Sequence, residues 1–362
     1  MSETCKPRRR WFQYSLRSLF LVMFLASLGL SWYAVRAKRA REQNVAVQAI
    51  WNLDGYVFYD YDVGGAGDWL ARAVPRGAWL RRLLGEDFFE TVVEVHFSYC
   101  AVTDGGLAHI QGLTKLQGLS LEGTQVTDVG LGHLRGLKQL QRLIVSDTPV
   151  TGAGLEHIKA LTTLQDLDLD DTHVTDAGLK CLMGLTKLQS LSLSGTHVSD
   201  AGLKYIMRLT KLQSLSLSGT HVTDAGLEQL KGLGRLEDLC LDGTCITDAG
   251  LKRIKGLTRL QSLSLMGTHI TGVGFGHFGG MTRLHVLRLN RSRATDAGLE
   301  RLKGMTQILQ LFLRDTEVSD AGLEHLKGMT QLQFLDVLFT RVTLHGVGKL
   351  QQALPNCRIT GA

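Results

Sequence analysis

The sequence predicts an α/β solenoid of stacked strand–turn–helix units behind a single membrane-spanning helix. Three observations predict it. From Val92 to Gln331 the chain divides into ten units of 24 residues with no insertion or deletion, and self-similarity this strict marks a repeat architecture. Within each unit the apolar spacing changes from alternate residues to every third residue, the switch from a strand to a helical turn. Near the N-terminus, 18 residues from Ser18 to Val35 carry no charge.

In chain order, residues 1–17 form a basic tail and residues 18–35 the span. At about 1.5 Å per residue the span covers roughly 27 Å, close to a bilayer core of about 30 Å. Trp32 and Tyr33 close it, with Lys6, Arg8, Arg9, Arg10 and Arg17 before it and Arg36, Lys38, Arg39 and Arg41 after it. Aromatic edges with basic flanks anchor a helix in a bilayer. A cleaved signal peptide is the rival reading, although Val35-Arg36-Ala37 is a poor small-residue cleavage site. Arg9-Arg10-Trp11-Phe12 partly matches a twin-arginine signal, and no Cys follows the apolar run to carry a lipoprotein anchor. The two basic flanks nearly balance, but the short tail is costly to translocate. The expected protein is therefore single-pass in the cell membrane, with its repeats extracytoplasmic.

Residues 36–91 are expected to form a juxtamembrane helix and N-terminal cap. Val47, Ile50 and Trp51 share one helical face, Asn52 to Gly55 ends that helix, and Tyr56–Tyr61 alternates like a strand. Trp69–Leu84 has a further helical pattern, interrupted at Pro75, and Phe88–Phe97 leads into the first unit. Residues 92–331 are the ten units, starting at Val92, Leu116, Leu140, Leu164, Leu188, Leu212, Leu236, Leu260, Leu284 and Ile308. In the unit at Leu212, Leu215 and Leu217 point inward from a short strand, Gly219 and Thr220 turn the chain, and Val222 returns to the core. Thr223 and Asp224 are suited to cap a helix N-terminus, and Leu227, Leu230 and Leu233 give the helix one apolar stripe. Seven buried side chains offer roughly 10–20 kcal/mol, less than the cost of ordering 24 backbones at about 1–2 kcal/mol each. A lone unit cannot fold, and stacking supplies the rest. Residues 332–362 form a final irregular repeat and cap, where Pro355 stops the last helix and Cys357–Ile359 adds an edge strand.

Charge excludes one class of partner. The net charge of +6 divides into +8 over residues 1–41, −4 over 42–91 and +2 over the remainder, so the basicity belongs to the tail and no nucleic-acid surface is expected. Forty-one Gly against four Pro fit many tight turns between regular elements.

The repeat reads L-x-x-L-x-L-x-x-T-x-V-T-D-A-G-L-x-x-L-x-G-L-T-x and resembles the leucine-rich repeat family. Thr stands where that family more often has Asn or Cys, as at Thr124, Thr196, Thr220 and Thr316, with Cys100 and Ser292 as variants. The resemblance implies a horseshoe with a parallel β-sheet on its concave face, short helices on its convex face, and a role in protein binding. The Thr-Asp-Ala-Gly-Leu element is similar to bacterial internalin-like proteins and to repeats of eukaryotic F-box proteins; no recognisable F-box precedes the repeats.

Unit positions 3, 5 and 7 face outward from the sheet and map its chemistry. The fourth unit presents Asp166, Asp168 and Asp170, and the fifth and sixth present only Ser190, Ser192, Ser194, Ser214, Ser216 and Ser218. The seventh has Asp238, Cys240 and Asp242; the ninth has Arg288 and Asn290, flanked by Arg291 and Arg293. Phe312 and Arg314 follow in the tenth unit and Phe334 in the eleventh. Exposed Arg and aromatic residues are the usual anchors of interfaces, so the C-terminal third is the expected working face.

Catalysis and metal binding find little support. Ser216, Ser218, His221 and Asp224 supply the residue types of a hydrolase triad, but His221 recurs as His173, His197 and His269, and Asp224 recurs in most units. A column of copies serves each unit equally, whereas a triad needs one pocket. Alternate strand residues splay about 6.6 Å apart, too far to hold one Ca²⁺ between them, and a straight His ladder offers Zn²⁺ at most two ligands. Six scattered Cys show no disulfide framework. The resulting expectation is a monomeric, membrane-anchored binding scaffold for a protein or peptide, with no enzymatic activity, cofactor or metal. The alternatives are a structural envelope protein without a defined ligand, a soluble exported binding protein and an F-box-like adaptor.

Overall fold

The computed structural model describes residues 16–60 and 90–361. Most of the basic tail, the helical pattern at Trp69–Leu84 and Phe88 lie outside the described residues.

Helix α1 runs unbroken from Leu16 to Asn52, 37 residues. Its apolar part is long enough to cross a membrane, with a mean hydropathy of 1.9 over its best window and none of that window buried. The same helix then enters the solenoid, where Ala46, Val47 and Ile50 are buried in the core. Trp51 is 51% exposed, so the sequence-derived face is corrected. The inward face runs through Gln43, Ala46, Val47 and Ile50, a three- and four-residue spacing that leaves Trp51 on the shoulder. Gln43 is the exception in chemistry: its side-chain amide donates to the Glu90 carbonyl and accepts from Val92 N–H, tying the helix to the first unit. The helix ends where Asp54 takes a left-handed conformation (φ 59°).

Thirteen strands form one sheet in strict chain order among the described residues. Strand β1 (Tyr56–Tyr59) pairs antiparallel with β2 (Val92–His96) and shields that edge. The parallel series continues through β3 (Gly118–Ser120), β4 (Arg142–Ile144), β5 (Asp166–Asp168), β6 (Ser190–Ser192) and β7 (Ser214–Ser216). Then come β8 (Asp238–Cys240), β9 (Ser262–Ser264), β10 (Val286–Arg288), β11 (Gln310–Phe312), β12 (Phe334–Asp336) and β13 (Arg358–Thr360). Pairing is in register at 24-residue intervals throughout, as Leu191↔Leu215↔Leu239 shows. The opposite side is lined by short α- or 3₁₀-turns, such as Asp200–Ile206 and Gly226–Gly232.

The apolar columns form one continuous core. In the unit at Leu212, Leu212, Leu215, Leu217, Val222, Leu227, Leu230 and Leu233 are all 0–1% exposed. The Thr column is also buried, and each hydroxyl folds back on its own turn: Thr220 Oγ1 donates to the Leu217 carbonyl at 2.6 Å, and Thr316 Oγ1 to Leu313 at 2.6 Å. A buried hydroxyl satisfied within its own unit costs little, which explains Thr at this position.

The residue before that Thr always turns left-handed. Gly219 has φ 63°, which suits Gly, but Arg291 (58°) and Phe339 (57°) occupy the same place in their units. A side chain there costs about 1–2 kcal/mol, and Gly returns part of that as unfolded-chain entropy. Arg291→Gly is expected to stabilise the protein by about 0.5–1 kcal/mol in urea denaturation, within those limits.

Candidate binding face

The strand residues align the predicted positions into columns. Position 3 runs Asp166, Ser190, Ser214, Asp238, Ser262, Val286, Gln310, Phe334, and position 5 runs Asp168, Ser192, Ser216, Cys240, Ser264, Arg288, Phe312, Asp336. Arg288 therefore sits beside Phe312, and its guanidinium lies 5.5 Å from that ring. Phe312 and Phe334 are neighbours at 5.2 Å with their planes tilted by 46°. Arg314 reaches the other way, 4.9 Å from the exposed Phe339 ring. Phe339 was missed from the sequence because its turn position reads as a Gly column. Arg291 and Arg293 are exposed but leave the strand face: Arg291 occupies the left-handed turn, and Arg293 stands in the loop column that includes His269.

The acidic residues divide by what already engages them. Asp170 accepts from Ser192 Oγ and from Ser194 N–H at 2.6 Å, and Asp242 repeats this with Ser264 Oγ at 2.6 Å and Met266 N–H at 2.7 Å. Asn290 accepts from Arg314 N–H at 2.9 Å in the same way. All three occupy position 7 and satisfy the backbone of the next unit, a role the single-unit pattern does not reveal. Asp166 pairs with Arg142 at 3.6 Å, and Asp168 accepts from Asp170 N–H at 3.0 Å. Burial pushes the Asp168 carboxyl above its ordinary value, with the Asp170 charge acting in the same direction. Among the described residues, no hydrogen bond or ion pair engages the Asp238 carboxylate.

Between these residues the serines are linked to one another. Ser194 and Ser216 hydroxyls lie 2.8 Å apart, Ser216 and Ser218 3.3 Å, and Ser218 Oγ lies 2.9 Å from Cys240 Sγ. Around Asp238, Cys240, Asp242, Met266 and Arg288 the face sinks into an open depression of about 390 Å³.

The Asp of Thr-Asp-Ala-Gly-Leu has a second job. The preceding Thr or Ser caps its own helix, as Ser199 does by accepting from Ala201 N–H. The Asp instead reaches into the next unit: Asp200 Oδ1 accepts from Thr223 N–H at 2.8 Å and Oδ2 from Thr223 Oγ1 at 2.6 Å. Asp104, Asp128, Asp176, Asp224, Asp296 and Asp320 repeat this contact. Where Gly152 replaces the Asp, Thr175 has no side-chain cap bond and Gly152 lies directly against Gly178.

Asp320 shows the electrostatic consequence. The N–H and hydroxyl bonds from Thr343 hold its carboxyl below its ordinary value, assisted by His345 and Lys349. A depressed folded-state value means the stabilisation is present above the unfolded value of about 3.9 and is lost as pH falls through the folded value. Asp320→Asn should therefore weaken urea resistance at pH 7, and the gap to the unmodified protein should narrow as pH falls below the ordinary carboxylate value of about 3.9.

The residues resembling a triad are engaged separately. Ser216 belongs to the serine ladder, Asp224 holds Thr247, and the exposed His221 packs beside His197 at 6.3 Å. Among the described residues no group of three or more His, Cys, Asp or Glu converges as a metal site. Cys100, Cys181, Cys240, Cys245 and Cys357 are free thiols. Burial pushes Cys181 and Cys357 up to about 11, which keeps both protonated near neutrality.

Comparison with known proteins agrees with this geometry. A family model described as Leucine Rich repeat matches residues 160–183, 184–207 and 208–231. No curated protein matches the sequence. Among solved structures, an internalin (inlF) of Listeria monocytogenes is 19% identical with a TM-score of 0.57, over 78% of this chain and 92% of its own. A leucine-rich-repeat protein of Leptospira interrogans is 20% identical with a TM-score of 0.53, over 70% of this chain and 68% of its own. The mouse RP105/MD-1 complex is 20% identical with a TM-score of 0.56, over 71% of this chain and 44% of the matched one. At such identities the likeness is one of fold.

Proposed function

From the premise that this chain carries leucine-rich repeats and folds as an internalin-like solenoid, we propose that it is a membrane-anchored scaffold, not an enzyme. Its concave face binds a protein or peptide, and its energy is concentrated at the C-terminal third. The observation that carries this reading is the contact chain Arg288–Phe312–Phe334, half-buried aromatic rings held in register on the open sheet beside a guanidinium. Aromatic rings gain by further burial, and Arg offers a planar fork to carboxylates or carbonyls. The structure of RP105 with MD-1 is a precedent for a partner on this fold.

Arg288→Glu combined with Arg314→Glu is expected to abolish capture of a native partner by the full-length protein. Ser192→Ala with Ser216→Ala should leave capture nearly unchanged, because these hydroxyls are already engaged, Ser192 by Asp170 and Ser194 and Ser216 by Ser194 and Ser218. Loss of capture from the serine pair alone would move the working face to the centre of the sheet. Capture unchanged by either pair would move the binding site away from these residues, and absence of any captured partner would favour an envelope protein with a purely structural role.

The anchor is the first part of α1, where Phe20, Leu25, Leu30, Trp32 and Val35 are exposed. We place the repeats outside the cytoplasm, on a monomer. The full-length protein should stay in the membrane pellet through high salt and alkaline carbonate. Its release would remove the anchor from this reading.

A further inference from the structure

The depression around Asp238 and the aromatic pair beyond it define a spacing that a ligand must match. We propose that the partner presents an extended peptide segment lying along the solenoid axis, with a cationic side chain on Asp238 and an apolar or aromatic side chain four residues away on Phe312 and Phe334. This rests on the concave-face reading above and specifies the chemistry of its partner.

Charge and geometry select this occupant. Asp238 lies on the wall of the 390 Å³ depression with Ser214, Ser216 and Ser262 around it. Among the described residues no cation forms an ion pair with it. Burial raises its carboxyl above the ordinary value, Glu237 adds to this, and Arg288 opposes it. A ligand cation would relieve that cost, and a ligand anion would increase it. Asp242 is not equivalent, since Ser264, Met266 and Cys240 already fill its oxygens. Arg288 does not close the gap itself: Nη1 donates to Ser262 Oγ at 3.0 Å and the guanidinium lies against Phe312. The guanidinium carries further N–H donors, which suit backbone carbonyls of a passing segment.

The separation follows from the strand order. Asp238 is on β8 and Phe312 on β11, three rungs apart. Phe312 also stands two residues further along its strand, which adds about 6.6 Å across the rungs. At about 4.8 Å per rung the separation is then roughly 16 Å, and an extended peptide covers it in about four to five residues at 3.3 Å each.

The test uses the full-length protein in detergent micelles and fluorescein-labelled, end-capped peptides with Arg-Gly-Ser-Gly-Phe inside a Gly/Ser background. Replacing Arg by its neutral isostere citrulline, or moving Phe two positions closer, should weaken binding about tenfold in fluorescence anisotropy, the loss of one charge-assisted contact. Asp238→Asn should erase the preference for Arg over citrulline, while Phe312→Ala with Phe334→Ala should weaken every peptide. If Arg, citrulline and Glu peptides bind alike but the Phe pair matters, the cation site is overturned and the concave-face reading stands. If neither the charge nor the Phe pair matters, both fall. Absence of any peptide binding, or binding only of neutral oligosaccharides, also overturns the proposal.

Discussion

Leu217→Ala is expected to cost about 2–5 kcal/mol, the range for a large-to-small change in a core that cannot collapse around the gap. Leu217 is fully buried, and the rungs on either side present Leu193 and Leu241 in the same column, both also fully buried. Moving one rung inward to fill the void would break its register with its neighbours, so the cavity should persist. His221→Ala, in the same unit but exposed, should stay within about 0.5 kcal/mol of neutral. Urea denaturation of both variants checks the contrast. A large loss from His221→Ala that zinc reverses would instead make the imidazole column a metal site. Because repeat units interact chiefly with neighbours, the Leu217 variant should also unfold less cooperatively, with the two flanking halves separating.

Gly226→Ala should be nearly as damaging although it adds only a methyl group. A Cβ at Gly226 would lie 2.2 Å from Asp200 Oδ1 and 3.0 Å from Leu203 Cδ1. The carboxylate cannot swing aside freely, because Thr223 holds both of its oxygens. The substitution must break that pair of bonds or displace the turn, for an expected loss of about 2–3 kcal/mol from overpacking and lost hydrogen bonding. The diagnostic comparison is the double variant. Asp200→Ala removes the obstructing oxygen, so Gly226→Ala should cost markedly less in that background, a coupling of about 1 kcal/mol or more. Strict additivity would show that Gly is needed here for its backbone and not for the carboxylate lying over it.

The fold was legible because each unit repeats the same local instruction. Leu at positions 1, 4 and 6, a Gly-Thr turn and a three-residue apolar stripe are readable within 24 residues, and burial follows the side chains' own chemistry. Likewise, the uncharged run Ser18–Val35 reads as a candidate span by length and composition alone, and it lies on one unbroken helix. The residue types of the proposed working face, including Arg288, Phe312, Arg314 and Phe334, were legible for the same reason, since strand alternation alone sends them outward.

What tertiary structure decided lies between units. Asp200 was readable as a helix-capping residue, yet its oxygens hold Thr223 in the next turn, and Gly226 is small to make room for it. Asp170, Asp242 and Asn290 read as free surface groups, yet each accepts a backbone N–H from the following rung. Trp51 shares a helical side with Ile50 in sequence, but the face that packs on the solenoid runs through Gln43, Ala46, Val47 and Ile50 and leaves Trp51 exposed. Asp238 and Arg288 are 50 positions apart in the chain but line one depression. In each case the partner is one or more rungs away in the stack. Local pattern specifies which side of a rung a residue faces; only the stacking of rungs about 5 Å apart decides what it meets there.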